Sequence, residues 1–289
     1  MNGPAVVCTD SSAQLDAGAA AVHGIGIVAV GIAFDGEPFV DETDVDLDGF
    51  YERLAVGAEV STSLPSPGSF AAAYSAAAAA GAREIVSIHL DERVSGTVAA
   101  ARLGAGEAPV PVTVIDAGTA SYGVALAAVA VARALDRGLA VDESAALVAR
   151  LVQRLRNVFV AGGGERGRVP RRDGHPLLSF ADGATRVVGE CDGAGAAVEE
   201  MLPRICGGGP PAFAAVGHAH LSLEAPAGEL AERLLRAGVT EVGRYRVGPS
   251  VGAHTGPFSF GAFWSREPIP AVAASDLSTD LPSSARRVA

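Results

Sequence analysis

The chain has 289 residues, 49% of them hydrophobic and 19% charged, with a formal net charge of −11. That length suits two domains of roughly 100–200 residues each, and that apolar content excludes disorder for most of the chain. So acidic a chain is a poor partner for a phosphate backbone, which excludes a general nucleic-acid role; only Arg166, Arg168, Arg171 and Arg172 cluster into a local basic edge. Cys8, Cys191 and Cys206 lack C-x-x-C spacing, so neither a disulfide framework nor a structural zinc site is expected. Residues 1–4 hold no basic region followed by a long apolar run. The Ala-rich stretch 70–82 is too short, and too interrupted by Tyr74 and Ser75, to span a bilayer. A reducing cytoplasm is the expected compartment.

In chain order, residues 5–8 form an apolar run that opens into Thr9-Asp10-Ser11-Ser12, a buried strand leading into a polar loop. Residues 24–34 are a second apolar run, closed by the turn Asp35-Gly36. Asp46 or Asp48 is placed to cap a helix through Phe50 and Leu54. Residues 61–68, rich in Ser and Pro, have the composition of a loop. A helix over 69–82 and a strand over 84–90 follow. Ser95-Gly96-Thr97 opens the next helix, 111–115 is a strand ending at Asp116, and 121–135 is a long helix. Residues 142–156 read as another helix, with Asp142 as its N-cap. Strands alternating with helices at this pitch predict a parallel sheet with helices on its faces, and a ligand outside the carboxyl ends of the strands.

The glycine-rich, basic segment 161–174 interrupts this pattern. It divides the chain into an N-terminal α/β domain, 1–160, and a second α/β domain with a mixed sheet, 161–266. In the second part, 176–180 and 185–189 read as paired strands around Asp182-Gly183. Helices are expected over 194–202 and 227–237, and strands over 212–217 and 241–247. Residues 267–289 lack periodicity and read as a disordered tail.

Four polar segments stand out: Thr9–Ser12, residues 61–66, Ser95–Thr97 and the stretch His254-Thr255-Gly256-Pro257. Hydroxyls, a histidine and the free N–H groups of a helix start are donors, which is what an acceptor-only carboxylate requires. Each segment also has a plain structural role open to it, as a helix cap or a turn. A serine hydrolase built on Ser95 and His254 lacks the G-x-S-x-G elbow. His218 and His220 share strand-face spacing, but no carboxylate or cysteine pattern completes a metal site. Gly162-Gly163-Gly164 lacks the G-x-x-x-x-G-K-[ST] of a phosphate loop.

Taken in order, Thr9-Asp10-Ser11-Ser12, Thr62-Ser63-Leu64-Pro65-Ser66, Val94-Ser95-Gly96-Thr97, Val114-Ile115-Asp116 and His254-Thr255-Gly256-Pro257 resemble the DegV family over about residues 5–265. The resemblance implies a two-domain α/β fold that buries a long-chain fatty acid between the domains. It implies that the carboxylate meets Thr62, Ser95 and His254, with Ser63, Gly96 and Thr97 as neighbours. It implies no cofactor and no catalytic residue of its own. The expected role is a carrier that presents the acid to a separate kinase subunit for acyl-phosphate formation and phospholipid synthesis, with transient contact at a membrane surface. Leu64 replaces the family's usual Gln, and Ala117 its usual Ser. The family's G-G-R-I segment is shortened here to Gly163-Gly164-Glu165-Arg166-Gly167-Arg168, where Arg166 or Arg168 would face the partner. A divergent lipid sensor without a kinase partner, and a serine-dependent acyl hydrolase or transferase, are the alternative readings.

Overall fold

The computed structural model describes residues 4–37, 39–162 and 174–269. Ala5–Asp10 (β1) runs into a 3-10 turn whose Ser12 N–H is capped by the Asp10 carboxylate. A short helix, Ala17–Val22 (α1), is capped by Asp16. The apolar run 24–34 then divides. Gly26–Val28 (β2) pairs in parallel with β1, while Gly31–Phe34 (β3) joins Val40–Asp41 (β4) in a separate antiparallel sheet. Ser11 marks the division, its Oγ accepting from Val30 N–H at 2.9 Å. Leu47–Ala55 (α2) is capped by Asp46, not Asp48.

The segment expected as a loop over 61–68 is half strand. Val60–Ser63 (β5) pairs with β3, Thr62 opposite Ile32, so tertiary pairing overrides its turn-like composition. Ser66 then caps Pro67–Ala79 (α3), with Pro67 in the first turn, where its missing N–H costs nothing. Glu84–His89 (β6), Thr97–Ala105 (α4) and Val112–Asp116 (β7) follow. Among the described residues the first sheet runs β2-β1-β6-β7, every pairing parallel. Central β6 is buried almost throughout, as a parallel strand covered on both faces must be. Phe70, Tyr74, Ala100 and Ala101 of α3 and α4 cover one face.

The other face meets Tyr122–Asp136 (α5), in which Tyr122 through Ala132 are all buried. A helix apolar on every side belongs in a core. Here it shares one cluster with Val7, Val86 and Ile88 of the first sheet and with Phe213, Ala215 and Phe263 of a second. Ser144–Arg154 (α6) packs on α5 through Leu147, Val148 and Leu151. Asp142 is not its cap. Val141–Glu143 forms a 3-10 turn first, and the Glu143 carboxylate accepts from Ala140 N–H at 3.1 Å.

The second sheet is built from Arg156–Val160 (β8), His175–Ala181 (β9), Ala184–Cys191 (β10), Phe213–His218 (β11), Glu241–Arg246 (β12) and Phe260–Ser265 (β13). Its order is β10-β9-β8-β13-β11-β12, with β11 and β12 parallel and the rest antiparallel. Two sequence expectations change here. Residues 156–160, assigned by sequence to the first domain, are hydrogen-bonded into this sheet. Strand β13 went unforeseen because Phe-Gly-Ala-Phe-Trp-Ser is buried on both faces and shows no alternation. The β9–β10 turn has positive φ at both Asp182 (53°) and Gly183 (71°), as a tight hairpin requires. Gly193–Cys206 (α7) and Glu224–Arg236 (α8) cover the outer face, and Pro249–Thr255 (α9) follows β12. The expected tail begins docked: Glu267 pairs with Arg154 at 2.7 Å and Ile269 is buried in the central core. Residues 270–289 lie outside the described residues.

The result is an α/β fold with a parallel first sheet and a mixed second sheet. No helix among the described residues is long and apolar enough to cross a membrane.

Candidate functional site

Between the second sheet, β5, α9 and the loops that follow β1, β6 and β7 lies a cavity of about 520 Å³. One end is polar. Thr62, on β5, lines it, and its Oγ1 lies 3.5 Å from Nε2 of His254 on α9. Ser95 and Gly96, in the turn between β6 and α4, and Thr97, the first residue of α4, line the same cavity. Gly96 is the N-cap residue of α4, so this end also holds a helix start. The Ser95 and Thr97 hydroxyls are 2.8 Å apart, and Ser95 Oγ accepts from Thr97 N–H at 3.3 Å. Residues far apart in sequence thus line one cavity, with one exception. Ser63 is not part of the cavity wall. Side chains alternate along a strand, and Ser63 turns instead to Gly31, where an added Cβ would meet its Oγ at 2.5 Å. Arg166 and Arg168 lie outside the described residues.

The rest of the wall is largely apolar and comes mainly from the second sheet, with Phe159, Leu178, Phe180 and Phe260 among its members. Asn157 locks β8 to β9 there, its amide giving and taking one hydrogen bond each with the Phe180 backbone at 2.8 and 2.7 Å. The mouth lies beside the polar end: Leu64 and Val94 line the cavity yet are 48% and 44% exposed. The tip of the β9–β10 hairpin touches the same loop, with Gly183 against Arg93. Arg93 in turn is held by the buried Asp91 at 2.8 Å, and these hydrogen bonds hold the Asp91 carboxyl below the usual range. No Lys or Arg stands among the described residues of the wall, so an anion bound there would meet hydroxyls, a histidine and backbone N–H groups.

Several wall residues were not singled out from sequence. Ser121 has φ 54° and ψ −140°, uncommon for a residue with a side chain, and its hydroxyl bonds to Tyr245. Burial pushes the Tyr245 phenol up, and its ring stacks on Tyr122 at 3.9 Å. Ser250 and Val251, one turn before His254 and Thr255 on α9, complete that side. The i, i+4 spacing of Ser250 and His254 is the one sequence signal that could have found Ser250.

Ser87, His89 and Asp10 form a chain with hydrolase-like chemistry but no access. His89 Nδ1 donates to Asp10 Oδ2 at 2.6 Å, and His89 Nε2 lies 2.7 Å from Ser87 Oγ. Tyr74 closes the chain at 2.8 Å, and Ser87, His89 and Asp10 are all fully buried. It is a structural network, with Ser12 Oγ donating to Asp10 at the end nearest the cavity. His220 Nδ1 accepts from Ser222 N–H at 3.1 Å, which caps the 3-10 turn after β11. Among the described residues no group of three or more His, Cys, Asp or Glu could hold a metal ion.

Comparison with known proteins agrees with this architecture. A DegV domain-containing protein of Streptomyces coelicolor is 31% identical over 274 residues, covering 89% of this chain and 96% of that protein. One from Mycobacterium tuberculosis is 33% identical over 276 residues, covering 89% and 95%. A solved structure described as fatty acid binding by a DegV family protein from Thermus thermophilus superposes with a TM-score of 0.80 at 25% identity, covering 91% of this chain and 99% of that one. DegV of Bacillus subtilis, at 21% identity, shares the fold with a TM-score of 0.78 over 92% of this chain and all of its own. The family model described as uncharacterised protein, DegV family, matches residues 5–162. The chain belongs to the DegV family.

Proposed function

We propose that this protein binds a long-chain fatty acid, tail against the second sheet and carboxylate among Thr62, Ser95, Thr97 and His254. The observation that carries the reading is the polarity of a single cavity: hydroxyls, a histidine and a helix start at one end, aromatic and aliphatic side chains along the rest. Its volume of about 520 Å³ suits a ligand of this size. Each buried methylene contributes about 0.8 kcal/mol, so the tail supplies affinity and the hydroxyls fix which end lies where. A buried carboxylate without donors would take up a proton; with them it stays ionised. The Thermus thermophilus relative, described as fatty-acid binding, supports the same reading.

The finer reading is a carrier that presents the carboxylate to a separate kinase chain for phosphorylation, with Arg166 or Arg168 facing that partner. Support comes from the mouth, where half-exposed Leu64 and Val94 stand beside the carboxylate-binding end rather than at the tail. The reading requires no cofactor and no catalytic residue in this chain. Mass spectrometry of the denatured, ligand-unsupplemented protein tests the first step, with one fatty acid per chain expected. An empty protein that also takes up no added C16 or C18 acid would overturn it. Acyl-phosphate formation with a kinase subunit and ATP tests the second.

A further inference from the structure

Glu42 opens the 3-10 turn Glu42–Asp44 after β4 and is 6% exposed. Burial pushes its carboxyl up, Ser11 and Ser250 draw it back, and Asp10 adds to the rise; no cation among the described residues acts on it. Burying a carboxylate without a cation destabilises a fold, and chains keep such groups where function uses them. The two oxygens reach two other parts of the molecule. Oε1 accepts from Ser250 N–H at the start of α9 at 2.8 Å, and Oε2 accepts from Ser11 Oγ, in the turn after β1, at 2.5 Å. Helix α9 has little else to hold that end. It is seven residues long, has no side-chain cap of its own, and carries Pro249, which offers no N–H, in its first turn. The Gly248 N–H just before it donates to Gln14 Oε1, whose Nε2 donates to the backbone oxygens of Ser11 and Ser12. The start of α9 is therefore fixed by side chains 208 and 234 residues earlier in the chain. Near its other end stands His254, with Nε2 3.5 Å from Thr62 Oγ1. Thr62 belongs to the β4-β3-β5 sheet, which Glu42 directly follows out of β4.

We propose that Glu42 is a positioning residue for the polar end of the cavity. By tying the start of α9 to the sheet that carries Thr62, it sets where His254 stands relative to Thr62. The effect is one of reach rather than charge. A side chain of this length spans Ser11 and Ser250, and one shorter by a methylene does not. The tie is complete in the empty protein, so a head group meets a histidine already in place, and affinity gains from that preorganisation. The consequence for the ligand rests on the fatty-acid reading above; the placing of His254 does not.

The test compares Glu42→Gln, which keeps the length and one acceptor oxygen, with Glu42→Asp, which keeps the charge and loses a methylene. Delipidated full-length protein carrying ¹³C at histidine Cε1 reports the His254 ring by NMR, with His254→Gln assigning the signal. Displacement of a fluorescent fatty acid reads oleate affinity. Glu42→Asp is expected to move the His254 signal, leave that of His23 in place, and bind oleate roughly ten-fold more weakly. Glu42→Gln should keep the His254 signal and bind within about two-fold of wild type. An unmoved His254 signal in Glu42→Asp, whatever its melting temperature, would make Glu42 a plain stabilising cap and overturn the proposal. A loss in Glu42→Gln as large as that in Glu42→Asp would overturn it too, because charge would then matter and not reach. If Glu42→Asp does not fold, Gln14→Ala, which frees the Gly248 N–H, is read in the same way. Wild-type protein that takes up no oleate, with the His254 signal still moved in Glu42→Asp, would sink the fatty-acid reading and leave the positioning role standing.

Discussion

Thr62 and His254 meet at 3.5 Å across 192 residues of chain, one from a three-stranded sheet and one from a helix that follows the second sheet. Neither is placed by its local sequence alone, and both line the cavity. Removing one donor from this end should weaken binding without harming the fold. Thr62→Ala and Ser95→Ala are each expected to loosen acid binding by about 1.5–3 kcal/mol, the usual worth of a hydrogen bond to a charged group. Isothermal titration of delipidated protein measures it. Unchanged affinity in the double variant would remove these residues from the carboxylate site.

The buried pair Asp10 and His89 should matter for stability rather than for the ligand. His89→Ala leaves a buried carboxylate facing a void, and the loss of one partner from such a pair typically costs about 3–5 kcal/mol. A drop of that size in urea unfolding free energy is expected. A drop under 1 kcal/mol would mean that the Tyr74–Ser87–His89–Asp10 chain holds little of the fold together.

His218 gives the protein a pH dependence of definite sign. Burial, with Arg246 and Arg244 nearby, lowers its pKa from 6.5 to about 4. The unfolded chain therefore takes up the proton first as pH falls. Stability is complete above about 6.5 and declines as the pH drops toward 4, by about 2 kcal/mol after solvent screening is allowed for. His218→Leu should remove that decline. Because both ring nitrogens lack partners, it should also leave stability at pH 7 unchanged or slightly raised. Chemical denaturation of both proteins at pH 7, 5.5 and 4.5 decides it; parallel curves would refute the assignment.

Gly217 is required by a close approach. A Cβ there would fall on the ring of Tyr245, which is stacked between β11 and Tyr122. Gly217→Ala should push Tyr245 off Tyr122 and into the cavity, costing about 1–3 kcal/mol as overpacking does. It should also weaken ligand uptake. A variant with wild-type melting temperature and wild-type uptake would show that the ring yields freely.

Much of this was legible in the sequence because the signals were local. Alternating strands and helices gave the first sheet, Asp182-Gly183 gave the hairpin, and ordered short motifs gave Thr62, Ser95 and His254. What was not legible depended on partners. Val60–Ser63 has the composition of a loop and becomes a strand only because β3 lies beside it. Arg156–Val160 and Phe260–Ser265 pair with each other, and neither alone carries a strand pattern. Ser63 was grouped with Thr62 by motif, but a motif does not say which face of a strand a residue takes. Ser121, Asn157 and Ser250 line the cavity for reasons of tertiary geometry that no short window contains.

The cavity takes its wall from the second sheet, from β5 of the third and from the loops that follow strands of the first, so a bound ligand would be apolar interior that all three parts touch. In the empty protein those parts meet around a void and are joined there only by their remaining contacts. An occupant turns the void into shared interior. Loaded protein should therefore come apart in a single transition, and emptied protein in more than one, with overlapping midpoints that different spectroscopic probes would separate. Release of the ligand would then loosen the coupling between the halves of the molecule as well as vacate a site.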